Sequence, residues 1–290
     1  LRYEGVATAD VSLDDGGVWV SSTGDTRLGR LNHPIREVDA QLAAATASFD
    51  ILQEADDVLI IDEGLDRVEQ VDTAAVATTS GASLPADSLT ALGGGTFAVL
   101  DSGTGDVKVV PVAQLAALED EEAEPTLRVG PRSVIDVDVE GTTWVFDPTS
   151  ATLTAVTAAQ AADLATLARG ELDAAEASQS AEESEAEEAG ETGDGAESTE
   201  SASSDEASEI EPVELATWDL AASILEPEEL DDAALSLTTV GTSAVVMVTR
   251  EIRVDGENVP QIQVVPATGE AVLVVDVAAE AGLDVDASEV

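Results

Sequence analysis

The chain has 290 residues, with 61 acids against 11 bases, and its formal charge of −50 repels nucleic acid phosphates and anionic lipid surfaces. It is 44% hydrophobic but only 2% aromatic, so its core must be built from Val, Leu, Ile and Ala, with Trp19, Trp144 and Trp218 as rare large pieces. There is no Cys, which excludes disulfides, thiolate chemistry and Cys/His zinc sites, and no apolar run approaches the roughly 18–20 residues of a membrane-crossing helix.

Predicted strands follow one another in a recurring order. A first candidate, "VATADVSL" (6–13), precedes an apolar burst that ends at Ser22 and turns through "STGDTR". The loop "RLNHPIRE", with the single His33, follows the next strand. "SFDIL" (48–52) leads into "VLIID", the turn "EGLDR", another strand and the Ala-rich "DTAAVA". "LTAL" (89–92) leads into "FAVLD", the turn "SGTGD", a strand, "VAQLAAL" and the extended "TLRVG" (126–130). "SVIDVDV" (133–139), with period-two alternation, leads into "TWVFD", the turn "PTSAT", a strand and "TAAQAADLATLA".

Aligning Ser22, Asp62, Asp101 and Asp147 exposes the repeat, at spacings of 40, 39 and 46 residues. Three positions earlier stand Trp19, Leu59, Ala98 and Trp144; two earlier stand Val20, Ile60, Val99 and Val145. Six positions later come Leu28, Val68, Val107 and Leu153. Bursts this apolar fit strands buried on both faces between neighbouring sheets. The turns carry the Gly, Asp, Pro and Ser that tight connections need.

From Glu171 to Glu211 the chain holds 16 acids and no bases, which leaves 45 acids against 11 bases elsewhere. Such a tract cannot bury enough apolar area to offset its ordering entropy, and 175–209 is expected to be a disordered acidic insertion. Beyond it, "PVELATWDLA" (212–221) is expected to close the fourth unit as its outer strand. "ALSLTTV" (234–240), "SAVVMVTREIRV" (243–254), a turn at "DGEN", "PQIQVV" (260–265) and "EAVLVVDVA" (270–278) then form a fifth unit.

Four strands per roughly 40–46 residues is the period of a propeller blade, which cannot bury both faces alone and must stack on its copies. The expected fold is therefore all-β and β-propeller-like, with about five four-stranded blades in an open or incomplete ring. Blades one to four, most of the fourth included, occupy 1–174, and the end of the fourth with the fifth occupies 210–290. A string of Ig-like sandwiches would need about seven strands per ~100 residues, against the observed period. The chain starts at Leu1 and stops at "LDVDASEV", which reads as a piece of something longer, so a missing leader says nothing about compartment.

Chemistry-bearing patterns are sparse. His33 stands alone in a loop, so no hydrolase triad is expected, and "GGGT" (93–96) joins two strands, so it is a turn and not a phosphate cradle. Asp56–Asp57, Asp62–Glu63 and Asp136/Asp138 are carboxylate pairs of the kind a glycosidase or a Ca²⁺ site uses, but such pairs arise by chance in so acidic a chain. Asp62, Asp101 and Asp147 are better explained as acceptors for the N–H groups of their own turns, with Ser22 doing the same more weakly. Trp19 and Trp144 share a column inside buried strands, so packing between blades is their expected role; Trp218 lies near the insertion. No catalytic, cofactor-binding or metal-ligating residue is assigned, and no cofactor is expected.

"ADVSLDDGGVWVSSTGDTRLGRLNHPIREVD" followed by "ASFDILQEADDVLIIDEG" resembles the propeller-like repeat region of large actinobacterial cell-surface proteins. Those chains continue into arrays of Ig-like or fibronectin type III domains. The resemblance covers about 1–156 and implies an exported, envelope-associated multidomain protein with no catalytic residues to carry over. The expected function is a non-enzymatic extracellular structural or interaction module whose partner is a protein or a cell-envelope glycan. The alternatives are a carbohydrate-binding accessory region of a secreted glycan-degrading enzyme, and a propeller that binds Ca²⁺ or a small molecule.

Overall fold

A computed structural model of the chain describes residues 17–32, 35–120, 123–167, 214–220, 230, 233–254, 257–266 and 273–275. The first predicted strand (6–13), His33 and the expected insertion at 175–209 lie outside the described residues.

Nineteen strands are described, in five antiparallel sheets, each a meander taken in chain order. Sheet one holds β1 (Gly17–Ser22), β2 (Arg27–Asn32) and β3 (Glu37–Ala43). Sheet two holds β4 (Phe49–Glu54), β5 (Asp57–Asp62), β6 (Arg67–Asp72) and β7 (Ala77–Ser83). Sheet three holds β8 (Leu89–Gly93), β9 (Thr96–Leu100), β10 (Asp106–Pro111) and β11 (Leu127–Arg128). Sheet four holds β12 (Val134–Val137), β13 (Thr142–Asp147), β14 (Thr152–Thr157) and β15 (Ala216–Asp219). Sheet five holds β16 (Ala234–Val240), β17 (Ser243–Val254), β18 (Glu257–Pro266) and β19 (Leu273–Val275). The fold is β-propeller-like. β15 pairs with β14 in the register Thr152↔Asp219 to Ala155↔Ala216, so the fourth strand of sheet four comes from well downstream in the chain.

The Ala-rich pieces do three different things. "DTAAVA" turns into β7, "VAQLAAL" forms the 3-10 helix Val112–Glu119, and residues 158–167 are α-helical. Val112, Leu115 and Leu118 of the 3-10 helix pack between sheets two and three, and Lys108 Nζ donates to the carbonyls of Leu118 and Asp120 at 3.3 Å each, satisfying the helix's free end.

Four apolar clusters hold the five sheets, one at each successive interface. Strand pleat explains how a single run feeds two of them. On β5, Val58 and Ile60 pack against sheet one while Leu59 and Ile61 pack against sheet three. On β9, Phe97 and Val99 face sheet two while Ala98 and Leu100 face sheet four. On β13, Val145 faces back and Trp144 and Phe146 face sheet five. The continuous bursts in the sequence are thus two interleaved half-patterns, each satisfied by a different neighbour. Leu28, Val68, Val107 and Leu153 are all fully buried, on β2, β6, β10 and β14, as the column alignment requires. Burying one such side chain stabilises the fold by about 1.5–3 kcal/mol.

Sheet one departs from the expectation. Its β1 is buried on one face only: Trp19 is covered, but Val18 and Val20 are 50% and 43% exposed. The reason is position in the stack. Val18 and Val20 stand four and two positions before the aligned Ser22, where the other sheets face the preceding sheet, and among the described residues nothing packs there.

Candidate functional site

The aligned column sits at the end of β1, β5 and β13 and just after β9, where a four-residue turn leads into the next strand. Asp62 is 4% exposed and accepts four hydrogen bonds. Oδ1 takes the N–H of Gly64 (3.0 Å), the N–H of Leu65 (3.1 Å) and the hydroxyl of Thr46 (2.6 Å); Oδ2 takes the N–H of Thr46 (3.1 Å). Asp101 accepts from the Gly103 N–H (2.8 Å), the Thr104 N–H (3.3 Å) and the Thr104 hydroxyl (2.9 Å). Asp147 accepts from the Thr149 N–H (2.8 Å) and the Gly130 N–H (3.0 Å). Each carboxylate therefore binds the N–H two residues on, and Asp62 and Asp147 also fasten the segment that enters their sheet. The residue sixteen before Asp101 is Pro85, which has no N–H to offer. Burial pushes the Asp101 carboxyl up, but the Gly103 N–H and the two Thr104 donors outweigh it and hold the group below the usual carboxylate range. Ser22 behaves otherwise than expected: its hydroxyl donates to the Asp25 carboxylate (3.0 Å), and the turn is the 3-10 segment Thr23–Asp25.

These turns share a feature that residue identity hides. Four positions after each column residue the backbone has positive φ: Thr26 (51°), Asp66 (49°), Gly105 (79°) and Ala151 (51°). Only sheet three places a glycine there, where an added Cβ would lie 2.1 Å from the Val129 carbonyl oxygen. The same left-handed residue closes the turn in four sheets with four side chains, so sequence comparison alone passes over it.

At the opposite ends of these strands the inner turns of successive sheets meet. Glu54 Oε2 accepts from the Gly94 N–H at 2.6 Å, and Val139 N–H donates to the Gly241 carbonyl at 3.4 Å. Gly94 and Gly141 touch backbone to backbone, since a Cβ on Gly94 would lie 2.2 Å from the Gly141 nitrogen. On the first sheet, the Gln53 side chain accepts from Trp19 N–H (2.9 Å) and donates to the Gly17 carbonyl (2.8 Å), tying β4 to β1. Asp57 stands in this region. Burial, and then the neighbouring Asp56 charge, raise its carboxyl above the usual range.

The other carboxylate pairs are divided among separate tasks. Glu63 accepts from the Ser48 hydroxyl at 2.9 Å while Asp62 holds its turn. Asp136 and Asp138 both face sheet five. Asp136 accepts from the Thr239 N–H at 2.7 Å, bridging β12 to β16. Asp138 is 1% exposed and accepts from Trp144 Nε1 (3.0 Å) and from the N–H groups of Glu140 and Thr142 (2.9 Å each). Trp144 is buried, and its ring stacks on that of Trp218 with centroids 5.3 Å apart, tilted 32°. Trp19 is buried between sheets one and two. A cleft of about 280 Å³ opens beside the β5–β6 turn, lined by Ile61, Asp62, Glu63, Asp66, Leu84 and Asp87 among others. Its carboxylates disfavour anions, and among the described residues no group of three or more His, Asp or Glu is arranged to hold a metal ion. No helix among the described residues is long and apolar enough to cross a membrane.

No protein-family model and no curated protein matches the chain. Among solved structures there is distant similarity to β-propeller proteins. The dihydro-heme d1 dehydrogenase NirN in complex with DHE is 12% identical with a TM-score of 0.43, covering 95% of this chain and 56% of that one. Kuenenia stuttgartiensis hydrazine synthase is 10% identical with a TM-score of 0.45, covering 95% and 69%. PorZ, a bacterial surface component of the type-IX secretion system of Porphyromonas gingivalis, is 10% identical with a TM-score of 0.35, covering 90% and 32%. The chain thus spans a little over half the length of the first of these and about a third of the last. The likeness is one of fold.

Proposed function

We propose that this chain is a non-catalytic structural and interaction module of a large exported surface protein, contacting a protein or a cell-envelope glycan. The observation that carries the reading is where the chemistry-bearing side chains are spent. Asp62, Asp101, Asp147 and Asp138 accept hydrogen bonds from their own turns, Asp136 bridges two sheets, and Trp19 and Trp144 are packed between sheets. Groups committed in this way rigidify a scaffold and leave its surface to do the binding. The resemblance of 1–156 to actinobacterial surface-protein repeats points to the same setting, and a strongly acidic surface favours neutral glycans or basic proteins over anionic polymers.

The test is co-sedimentation of the purified chain with isolated bacterial cell walls and with neutral polysaccharides, run beside a screen of chromogenic glycosides. The expected result is retention on a wall or polysaccharide fraction without turnover. Turnover that disappears in Asp136→Asn or Asp138→Asn, with the fold intact, would overturn the reading.

A further inference from the structure

Sheet five lacks the carboxylate that fastens sheets two and four. The first hairpins of sheets two and three close with the pairs Glu54↔Asp57 and Gly93↔Thr96, eight and five positions before Asp62 and Asp101. Sheet five closes its first hairpin with Val240↔Ser243, so the same offsets place Val248 in the column. The packing agrees. Ala244, Val246 and Val248 face the preceding sheet, as Val58 and Ile60 do in sheet two. The Val248 side chain is buried and offers no acceptor, and β17 runs on through it to Val254 without a turn to hold.

Asp62 and Asp147 each take an N–H from the segment that enters their sheet, that of Thr46 and that of Gly130, sixteen and seventeen positions earlier. The same distance before Val248 falls between Leu230 and Ala233. There the bond runs in the opposite sense. The entering chain supplies carbonyls and the Arg132 guanidinium donates to both, Nη1 to the Leu230 oxygen at 2.7 Å and Nη2 to the Ala233 oxygen. Leu230 and Ala233 are buried in the cluster between sheets four and five, with Trp144, Leu220 and Val246. A planar fork of charged donors suits two nearby carbonyls better than a single ammonium does.

Arg132 is itself placed by sheet four. Its backbone is left-handed, at φ 64°. Two residues before it the Gly130 N–H is held by Asp147 Oδ2 at 3.0 Å, and the Ser133 hydroxyl donates to the Gly130 carbonyl at 2.7 Å, closing the loop around Arg132. Gly130 is pressed onto the turn, since an added Cβ would lie 2.3 Å from Thr149 Oγ1 and 2.7 Å from Asp147 Oδ1. The Asp147 turn, the 130–133 loop and the entry to sheet five form one hydrogen-bonded chain.

We infer that Arg132 is a latch, which docks sheet five on sheet four in place of the missing column carboxylate, is set by the Asp147 turn, and on release lets sheet five open locally while sheets two and three stay closed. The latch stands independently of the proposed wall or protein binding.

Native-state hydrogen exchange reads the latch. In Arg132→Gln the amides of β16 and of Ser243–Val248 should exchange about tenfold faster or more, because two charge-assisted bonds to the entering chain are lost, while those of β5 and β9 keep their rates. Arg132→Lys keeps the charge but not the fork and should give a smaller rise in the same amides. Arg128→Gln removes a base from the exposed pairs with Asp106 and Glu124 and should leave sheet five unchanged. Asp147→Asn turns an NH₂ toward the Gly130 N–H and should speed exchange in sheet five. Added to Arg132→Gln it should change little more, since both act on one chain of bonds. Unchanged exchange in sheet five, an equal rise in every sheet, or an Arg128→Gln effect as large as that of Arg132→Gln overturns the latch. Fully additive effects of Asp147→Asn and Arg132→Gln overturn its setting by the turn.

Discussion

Asp62 and Asp101 occupy the same column, yet replacement by Asn should affect them differently. In Asp62→Asn the amide oxygen can keep the Oδ1 site, with Gly64 N–H, Leu65 N–H and the Thr46 hydroxyl. The NH₂ group then faces the Thr46 N–H, donor against donor, where Oδ2 had accepted at 3.1 Å. A partly buried N–H left without an acceptor costs about 1–3 kcal/mol, and the remaining bonds lose their charge assistance. In Asp101→Asn the amide oxygen keeps the Gly103 and Thr104 N–H groups, and the NH₂ faces only the Thr104 hydroxyl. That hydroxyl can turn from donor to acceptor, so the cost is below about 1 kcal/mol. The assay is urea unfolding at pH 7, followed by tryptophan fluorescence and by circular dichroism to check that the transitions coincide. With a slope of roughly 2–3 kcal/mol per M, Asp62→Asn lowers the midpoint by roughly 0.5–1 M and Asp101→Asn by much less. Equal shifts in the two variants, or no shift for Asp62→Asn, would refute the claim that Asp62 fastens the entering segment as well as its own turn.

Thr26→Gly should stabilise the chain by about 1 kcal/mol in the same assay, because Thr26 is a β-branched residue at φ 51°. Gly141→Ala should destabilise it by about 2 kcal/mol or more, since φ is +83° and a Cβ would meet Thr96 Oγ1 at 2.7 Å and the Gly94 carbonyl oxygen at 2.9 Å; Gly24→Ala, with open space around it, is the control. Leu153→Ala should cost about 2–5 kcal/mol, and Val20→Ala well under 1 kcal/mol, because Leu153 is fully buried against sheet five while Val20 is 43% exposed. Thermal melts against pH separate Asp57 from Asp101. Asp57 has a raised carboxyl, so its ionised form destabilises the fold above its folded pKa, and the penalty fades as pH falls toward the unfolded value. Asp57→Asn should therefore raise Tm at pH 7, with the gain gone near pH 3. Asp101, held low, contributes stability above its unfolded pKa that is lost as pH falls through its folded value, so Asp101→Asn should flatten the acid limb of the profile. A pH-independent difference in either variant would contradict the assignment.

The period of about 40 residues, the strand order and the column Leu28, Val68, Val107 and Leu153 were legible in the chain itself. Repeated local patterns encode them, and each unit needs the same buried positions. The turn role of Asp62, Asp101 and Asp147 was legible for the same reason, since a carboxylate reaches N–H groups two and three residues on without help from the rest of the fold. What a strand face meets was not legible. "VWV" in sheet one and "VLI" in sheet two read alike, yet Val18 and Val20 are exposed while Val58 and Ile60 are buried, because among the described residues only the latter have a preceding sheet. Nor could the sequence say that Asp138 would hold the Trp144 indole, that Gln53 would tie β4 to β1, or that Thr26, Asp66, Gly105 and Ala151 would share one backbone conformation. Side-chain alternation and turn chemistry act over a few residues, and so the sequence alone determined the blades. Which faces remain open depends on how many sheets stack and where the stack stops, and only the tertiary structure decides that.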